Sequence, residues 1–253
     1  MHELFDLNGK HAIVVGGAGD LGLAMLEAVV KAGARAVVID INDTVHQVAQ
    51  TLCQQGGAVH AIQADIACRD QIRSSYAEAL EFLGGRVDIL LNAAGIQRRH
   101  PSEFFPEKDW DDVLAVNLSA TFFYCQLAAK TMIPQGGGKI INVASILSFC
   151  GGITIPAYAA SKGGVGQLTK TLANDWGGKG INVNAIAPGY MDTKLNVALM
   201  NDLVRSADIL ARIPQKRWGT AHDLKGITIF LASTASDYVN GAVIPVDGGY
   251  LGR

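Results

Sequence analysis

HAIVVGGAGDLGLAMLEAVV, residues 11–30, holds a short apolar run, a cluster of glycines and then apolar residues at helical spacing. The run His11–Val15 is short and β-branched, as a strand buried on both faces is. Leu23, Leu26, Val29 and Val30 then recur at steps that keep them on one face of a helix. Gly16, Gly17, Gly19 and Gly22 stand between the two. A strand, a glycine turn and a helix start leave unpaired N–H groups and the positive end of the helix dipole facing one point, which makes a cradle for a phosphate. The stretch predicts the first strand–helix unit of a doubly wound sheet.

Working outward, the second strand, 36–39, ends in Asp40, about 20 residues past the glycine turn. A carboxylate there can accept both ribose hydroxyls of an adenosine and repels a 2′-phosphate, which points to NAD rather than NADP. The plainer alternative is an acid that caps the helix starting near Asn42 and Asp43. Alternation continues with a helix over 45–55, a strand over 59–63 leading to Asp65 and Ile66, a helix over 70–82, and a strand over 87–91 that runs into Asn92-Ala93-Ala94-Gly95. A long helical pattern after Asp109 carries Asn117, whose amide among Val113, Val116 and Phe122 needs hydrogen-bond partners and serves either as a structural tie or as part of a proton relay. A strand over 181–187 is ended by Pro188-Gly189, the stretch 193–212 reads as a lid of one or two short helices, and a helix over 221–232 precedes a strand over 242–246. With no repeat or linker, this predicts one α/β domain, a Rossmann-like doubly wound parallel sheet.

The chemistry concentrates in NVASILSFCGGITIPAYAASK, residues 142–162. Ser145 falls just past the end of a β-branched strand, at the sheet edge where parallel folds bind ligands. Past Pro156 the period becomes helical, and Tyr158, Lys162 and Val165 share a face. A free phenol titrates near pH ~10, and a cation one turn away favours the phenolate. Ser145, Tyr158 and Lys162 together suit alcohol–carbonyl interconversion, with the hydride going to a cofactor. A Tyr and a Lys four residues apart also occur on ordinary solvated helices, so the pair takes its meaning from the rest of the chain.

Composition narrows the partners. The 253 residues are 49% hydrophobic and 17% charged with 29 glycines, which fits a well-buried domain full of tight turns. A net charge of -2 gives no electrostatic footprint for nucleic acid or an anionic membrane. Cys53, Cys68, Cys125 and Cys150 show no C-x-x-C spacing, and no two histidines stand four apart, so neither a metal nor a disulfide is expected. The first ten residues, MHELFDLNGK, lack an apolar core of a signal peptide, and a cytoplasmic location is expected.

Taken together, the glycine turn, Asn92 to Gly95, Asn117, Ser145, the Tyr158-x-x-x-Lys162 pair and Pro188-Gly189 resemble a classical short-chain dehydrogenase/reductase over nearly the whole chain. The resemblance implies a catalytic tetrad of Asn117, Ser145, Tyr158 and Lys162 and a homotetramer. It implies an NAD site formed by Gly16, Gly19, Asp20, Leu21, Gly22, Asp40, Ile41, Asp65, Ile66, Asn92, Ala93 and Gly95, with Tyr158, Lys162, Pro188, Gly189, Met191 and Thr193. Three positions depart from the family pattern: Val15 stands for its Thr, Asp20 for its second glycine and Ala93 for its second Asn. Asp20 would repel a pyrophosphate unless it caps the following helix, and the cap is the expectation.

Within the family, 94–99, 107–112, 187–191 and 217–219 look most like the 2-deoxy-D-gluconate 3-dehydrogenases, also described as 2-keto-3-deoxygluconate oxidoreductases, with gluconate 5-dehydrogenases close by. That likeness implies a sugar-acid substrate held by Arg98, Arg99 and Tyr190 beside Ser145 and Tyr158, a guanidinium gripping the carboxylate with two hydrogen bonds. The two arginines could instead be surface or subunit-contact residues. Competing functions are a 3-oxoacyl-thioester or steroid-like substrate and a non-catalytic NAD-binding module.

Overall fold

The strands are β1 (His11–Val15), β2 (Arg35–Asp40), β3 (Val59–Gln63), β4 (Ile89–Asn92), β5 (Gly138–Val143), β6 (Ile181–Pro188) and β7 (Val243–Val246). In the computed structural model, which describes residues 3–253, they form one parallel sheet in the order β3-β2-β1-β4-β5-β6-β7. The order reverses between β1 and β4, where Val15 pairs with Asn92. Chains leaving these two strands cross to opposite faces, so a crevice opens beyond their C-terminal ends.

Successive residues of each strand point to opposite faces, and both faces are covered. Val14, Val38, Leu91 and Ile141 pack with α1 (Asp20–Lys31), α2 (Val45–Gln54) and α9 (Lys225–Ala232). Ile13, Val37, Leu90 and Ile140 pack with α3 (Arg69–Phe82), α5 (Ala120–Met132) and α6 (Pro156–Trp176). Full burial of each such aliphatic side chain stabilises by roughly 1.5–3 kcal/mol, which is why the strands read as unbroken apolar runs.

The helix α4 (Glu107–Leu114) continues through one π turn, Ala115–Ser119, into α5. A π turn adds a residue to one helical turn and is found mostly at functional sites. Here it carries Asn117. By length and composition this rod is apolar enough to cross a membrane, yet Val113, Ala120, Tyr124, Ala128 and Met132 are buried within the fold.

Two boundaries differ from the expectation for physical reasons. The strand expected over 87–91 begins at Ile89, because the Gln135 side chain donates to the Val87 carbonyl and accepts its N–H, taking the groups a ladder would use. The helix expected over 221–232 opens as a 3-10 turn, Ala221–Leu224, held by a capping box between Thr220 and Asp223. The 193–212 stretch holds a short 3-10 turn, α7 (Val197–Asn201) and α8 (Leu203–Arg212), whose start is capped by Asp202 Oδ1 accepting the Arg205 N–H at 3.0 Å.

Candidate active site

The glycine turn is tight enough to exclude any side chain at two places. Gly16 has φ +81°, and a Cβ there would lie 2.4 Å from the Ala94 nitrogen; one on Gly22 would lie 2.0 Å from the Gly16 carbonyl oxygen. This lets the end of β1 approach the segment after β4. Gly19 is the N-cap of α1 and supplies no side-chain hydrogen bond, so the first N–H groups of the helix are left for a ligand.

Asp20 does not cap α1, contrary to expectation. It is the first residue of the helix, one position too late for an N-cap, and its Oδ2 accepts the Lys194 N–H at 2.7 Å. The carboxylate thus ties the glycine turn to the start of the 193–212 stretch, while its charge still suits the helix N-terminus.

A cleft of about 500 Å³ opens at the sheet's switch point. Its walls include Gly16, Gly19, Asp20, Leu21, Gly22, Asp40, Ile41, Asp65, Ile66, Ala93, Gly95, Tyr158, Lys162 and Thr193, all expected from sequence, and also Arg98. Ala18, Asn42, Val116, Lys194 and Leu195 line it too and were not singled out in the sequence. Ala18 and Asn42 carried a signal, since both adjoin expected residues. Val116 and Lys194 did not, because the π turn and a contact across 174 residues bring them in.

Asp40 accepts the Ala18 N–H through Oδ2 and the Asn42 N–H through Oδ1, each at 3.0 Å. It holds the glycine turn against β2 and is not the cap of α2, whose N-cap is Thr44. Each oxygen keeps further acceptor capacity, and Asp40 lines the cleft.

Asn92, Pro188, Gly189 and Met191 do not line this cleft. Pro188 ends β6, the Gly189 N–H goes to the Val246 carbonyl at 3.0 Å, and Met191 lies in a separate hollow with Tyr190, Arg217 and Asp247. Asn92 turns into the core, where its Nδ2 donates to Asn142 Oδ1 at 2.9 Å and to Cys125 Sγ at 3.3 Å. Its own Oδ1 has no partner. Val15, Asn92 and Asn142 are neighbours in register, so with the amide nitrogen turned to Asn142 the oxygen is left on the side of Val15, which cannot donate. Val15→Thr is therefore expected to leave the unfolding free energy unchanged or raise it by up to about 1 kcal/mol, whereas Val37→Thr, with no such acceptor, costs about 1–3 kcal/mol. Urea unfolding of the two variants checks this, and equal losses would remove the argument.

Tyr158 and Lys162 rise from α6 toward Ser145, as their spacing predicted. Ser145 is buried and its Oγ accepts the Leu147 N–H at 3.1 Å, which aims it from the end of β5. Burial pushes the Tyr158 phenol above its ordinary pKa, while a hydrogen bond with Ser145 and the charge of Arg99 pull it down. Lys162 is 3% exposed, its Nζ donates to the Val143 carbonyl at 2.7 Å, and burial pushes it down to about 8. The Lys162 ammonium is turned to the strand end, 5.8 Å from the ring centroid of Tyr158, and Arg99 is a further cation acting on the phenol.

The side chain of Asn117 serves as a tie. Its Oδ1 accepts the Ile96 N–H at 2.8 Å, and its Nδ2 donates to the Ile96 carbonyl at 3.0 Å and to Ser161 Oγ at 3.1 Å. These bonds fix the loop after β4 beside Lys162. That loop then sends its two arginines apart, as an extended backbone requires. Arg98 is exposed and lies 3.7 Å from Asp109 Oδ1, while Asp109 Oδ2 pairs with His100 at 2.7 Å. Arg99 is half-buried; the Gln97 amide, oriented with its oxygen toward the guanidinium, accepts from it at 2.7 and 2.9 Å. Burial and the charge of Arg205 push Arg99 below its ordinary pKa, and Tyr190 and Tyr158 act the other way. Arg217 is bidentate on Asp223, at 2.7 and 2.8 Å.

Known proteins resemble this chain over its length. The family model described as short chain dehydrogenase matches residues 10–203. The 2-dehydro-3-deoxy-D-gluconate 5-dehydrogenase of Bacillus subtilis is 45% identical over 253 residues, covering 100% of this chain and 99% of its own. The enzyme of the same name from Escherichia coli is 49% identical over 251 residues, with 98% of each chain covered. Among solved structures, a gluconate 5-dehydrogenase from Burkholderia cenocepacia in complex with NADP and tartrate superposes with a TM-score of 0.95 at 40% identity, covering 99% of this chain and 98% of that one. The chain belongs to the short-chain dehydrogenase family, an oxidoreductase acting on CH–OH groups with a nicotinamide cofactor.

Proposed function

We propose that the protein interconverts a secondary alcohol and a ketone on a sugar acid, as a 2-deoxy-D-gluconate 3-dehydrogenase (2-keto-3-deoxygluconate oxidoreductase), with NAD as cofactor. The observation that carries the substrate class is Arg99, a half-buried guanidinium with no acid partner, close enough to Tyr158 to act on its phenol. The names of the Bacillus and Escherichia relatives fit the same class.

In oxidation the Tyr158 phenolate takes the proton of the substrate hydroxyl while Ser145 Oγ donates to the same oxygen and orients it. When bound, the nicotinamide supplies the hydride acceptor. In reduction Tyr158 returns the proton to the carbonyl oxygen. Lys162, anchored on Val143, would hold the hydroxyls of the nicotinamide ribose and supply positive charge on that side of the site. The glycine turn fits a diphosphate, because α1 has no side-chain cap and no Cβ fits at Gly16 or Gly22. The chain acts as one domain with 193–212 as its lid, and a cytoplasmic homotetramer is the assembly that the family reading implies. NADH formation with a panel of sugar acids, against a neutral polyol and an acetoacetyl thioester, tests the reaction. Turnover of the thioester alone would replace the sugar acid as substrate.

The Burkholderia relative holds NADP, so the choice of NAD here rests on Asp40, whose free lone pairs suit a ribose diol and whose charge repels a 2′-phosphate. The kcat/KM for NAD is expected to exceed that for NADP at least tenfold, about 1.4 kcal/mol. Asp40→Asn keeps an acceptor for Ala18 and removes the charge, so it should erase most of that preference. Equal use of both cofactors by the unaltered protein would contradict the assignment.

A further inference from the structure

We propose that Arg205, on α8, joins Arg99 to form a two-guanidinium seat for the carboxylate of the substrate, so that the lid closes on the acid itself. This rests on the sugar-acid reading above and adds the residue that reads the charge from the lid side.

The placement follows from how α8 is anchored. Ile209 is buried in a cluster with Ile146, Ile213 and Tyr250, against which Leu147 and Tyr190 pack, and Ile146 directly follows Ser145. Arg205 lies four residues before Ile209, on the same face of the helix and one turn nearer its start. It is half-buried there, whereas Leu203 and Val204 on the outer side are 81% and 75% exposed. The Asp202 cap fixes where the helix begins and hence where Arg205 emerges.

The partners of the other arginines make these two unusual. Arg73, Arg86, Arg98 and Arg217 each hold an aspartate. Arg35, Arg69 and Arg212 lie over the rings of Phe82, Phe123 and Tyr250, and Arg253 donates to the Ala211 carbonyl. Arg99 has only neutral hydrogen-bond partners, the Arg205 guanidinium has no hydrogen-bond or ion-pair partner among the described residues, and the charge of Arg205 acts against that of Arg99. Two like charges in a partly buried site are unfavourable unless an anion sits between them. A carboxylate can take two hydrogen bonds from each guanidinium, and a neutral hydroxyl group cannot replace it. Tyr158 lines the cleft with the glycine turn, and the charge of Arg99 acts on its phenol, so a sugar acid bound by its carboxylate would present a hydroxyl-bearing carbon to Tyr158.

The test measures binding of tartrate, a dicarboxylate, to the NADH-loaded protein by calorimetry, with threitol as its neutral counterpart, alongside kcat/KM for 2-deoxy-D-gluconate. Arg205→Gln is expected to weaken tartrate at least tenfold, and Arg205→Lys to recover only part of that. If both arginines hold one carboxylate, the loss in the Arg99→Gln/Arg205→Gln double variant falls short of the product of the two single losses by threefold or more. A purely structural role for Arg205 would not produce that coupling, and the unfolding temperature of Arg205→Gln should match the parent. Tartrate binding within threefold of the parent in Arg205→Gln, or single losses that simply multiply, overturns the proposal while leaving the sugar-acid reading intact if the parent turns over a sugar acid. A parent protein that neither binds tartrate nor turns over any sugar acid overturns both.

Discussion

Tyr158→Phe is expected to lower kcat by about 10²–10⁴-fold, the usual contribution of a positioned acid or base, while the dissociation constant for the cofactor stays within about threefold. The ring keeps its place on α6 over Lys162, and only the hydroxyl that faces Ser145 is lost. The substrate oxygen would then have Ser145 to orient it but nothing to exchange its proton with. Burial holds this phenol above its ordinary pKa, with Arg99 and Ser145 opposing. Anything that removes the Arg99 charge should therefore move the acidic limb of the oxidation pH profile, where the phenolate is lost to protonation, to higher pH, in addition to weakening an acid substrate. Stopped-flow turnover with cofactor titration separates these effects. A Phe variant that kept more than about a tenth of kcat would exclude Tyr158 as the proton carrier.

Lys162→Met should have opposite effects on turnover and on the pH dependence of stability. Turnover is expected to fall at least 100-fold, because the buried ammonium would hold the nicotinamide ribose beside Tyr158. Stability follows from linkage. In the folded chain Lys162 sits near 8 instead of 10.5 because of burial, so between those two values the unfolded chain binds more protons than the folded one. Its contribution is therefore most favourable above pH 10.5, is lost as pH falls through about 8, and is constant below that. Over this window the parent should lose about 3 kcal/mol relative to the Met variant, which has no proton to bind there. Comparing the two at each pH cancels other titrating groups and the fixed effect of leaving the Val143 carbonyl without its donor. Urea unfolding at pH 7.5 and pH 10.5 measures the difference directly; a gap that changed by less than about 1 kcal/mol would mean that Lys162 is not desolvated as the fold implies.

Much of the site was legible in the chain because its signals are local. The run of β-branched residues before Gly16, the acid at the end of β2 and the one-turn spacing of Tyr158 and Lys162 each depend on a few neighbouring residues, whose periodicity and steric limits act before any tertiary contact forms. The same is true of the strand–helix alternation, which leaves a parallel sheet as the one way to bury every strand on both faces.

What only the tertiary structure decided depends on partners far away in sequence. Asp20 looked like a cap from its neighbours, and its partner is Lys194. The Asn117 amide needed partners that only the π turn supplied, bringing both of its ends onto Ile96. Arg98 and Arg99 are equivalent as sequence; Asp109 claims the first, and the approach of α6 and α8 leaves the second beside Tyr158 and Arg205. Local sequence determines which conformations and charges are available, whereas the choice among partners for a polar group is made by the packing of distant elements, since a buried donor or charge must take whichever acceptor the fold places within reach.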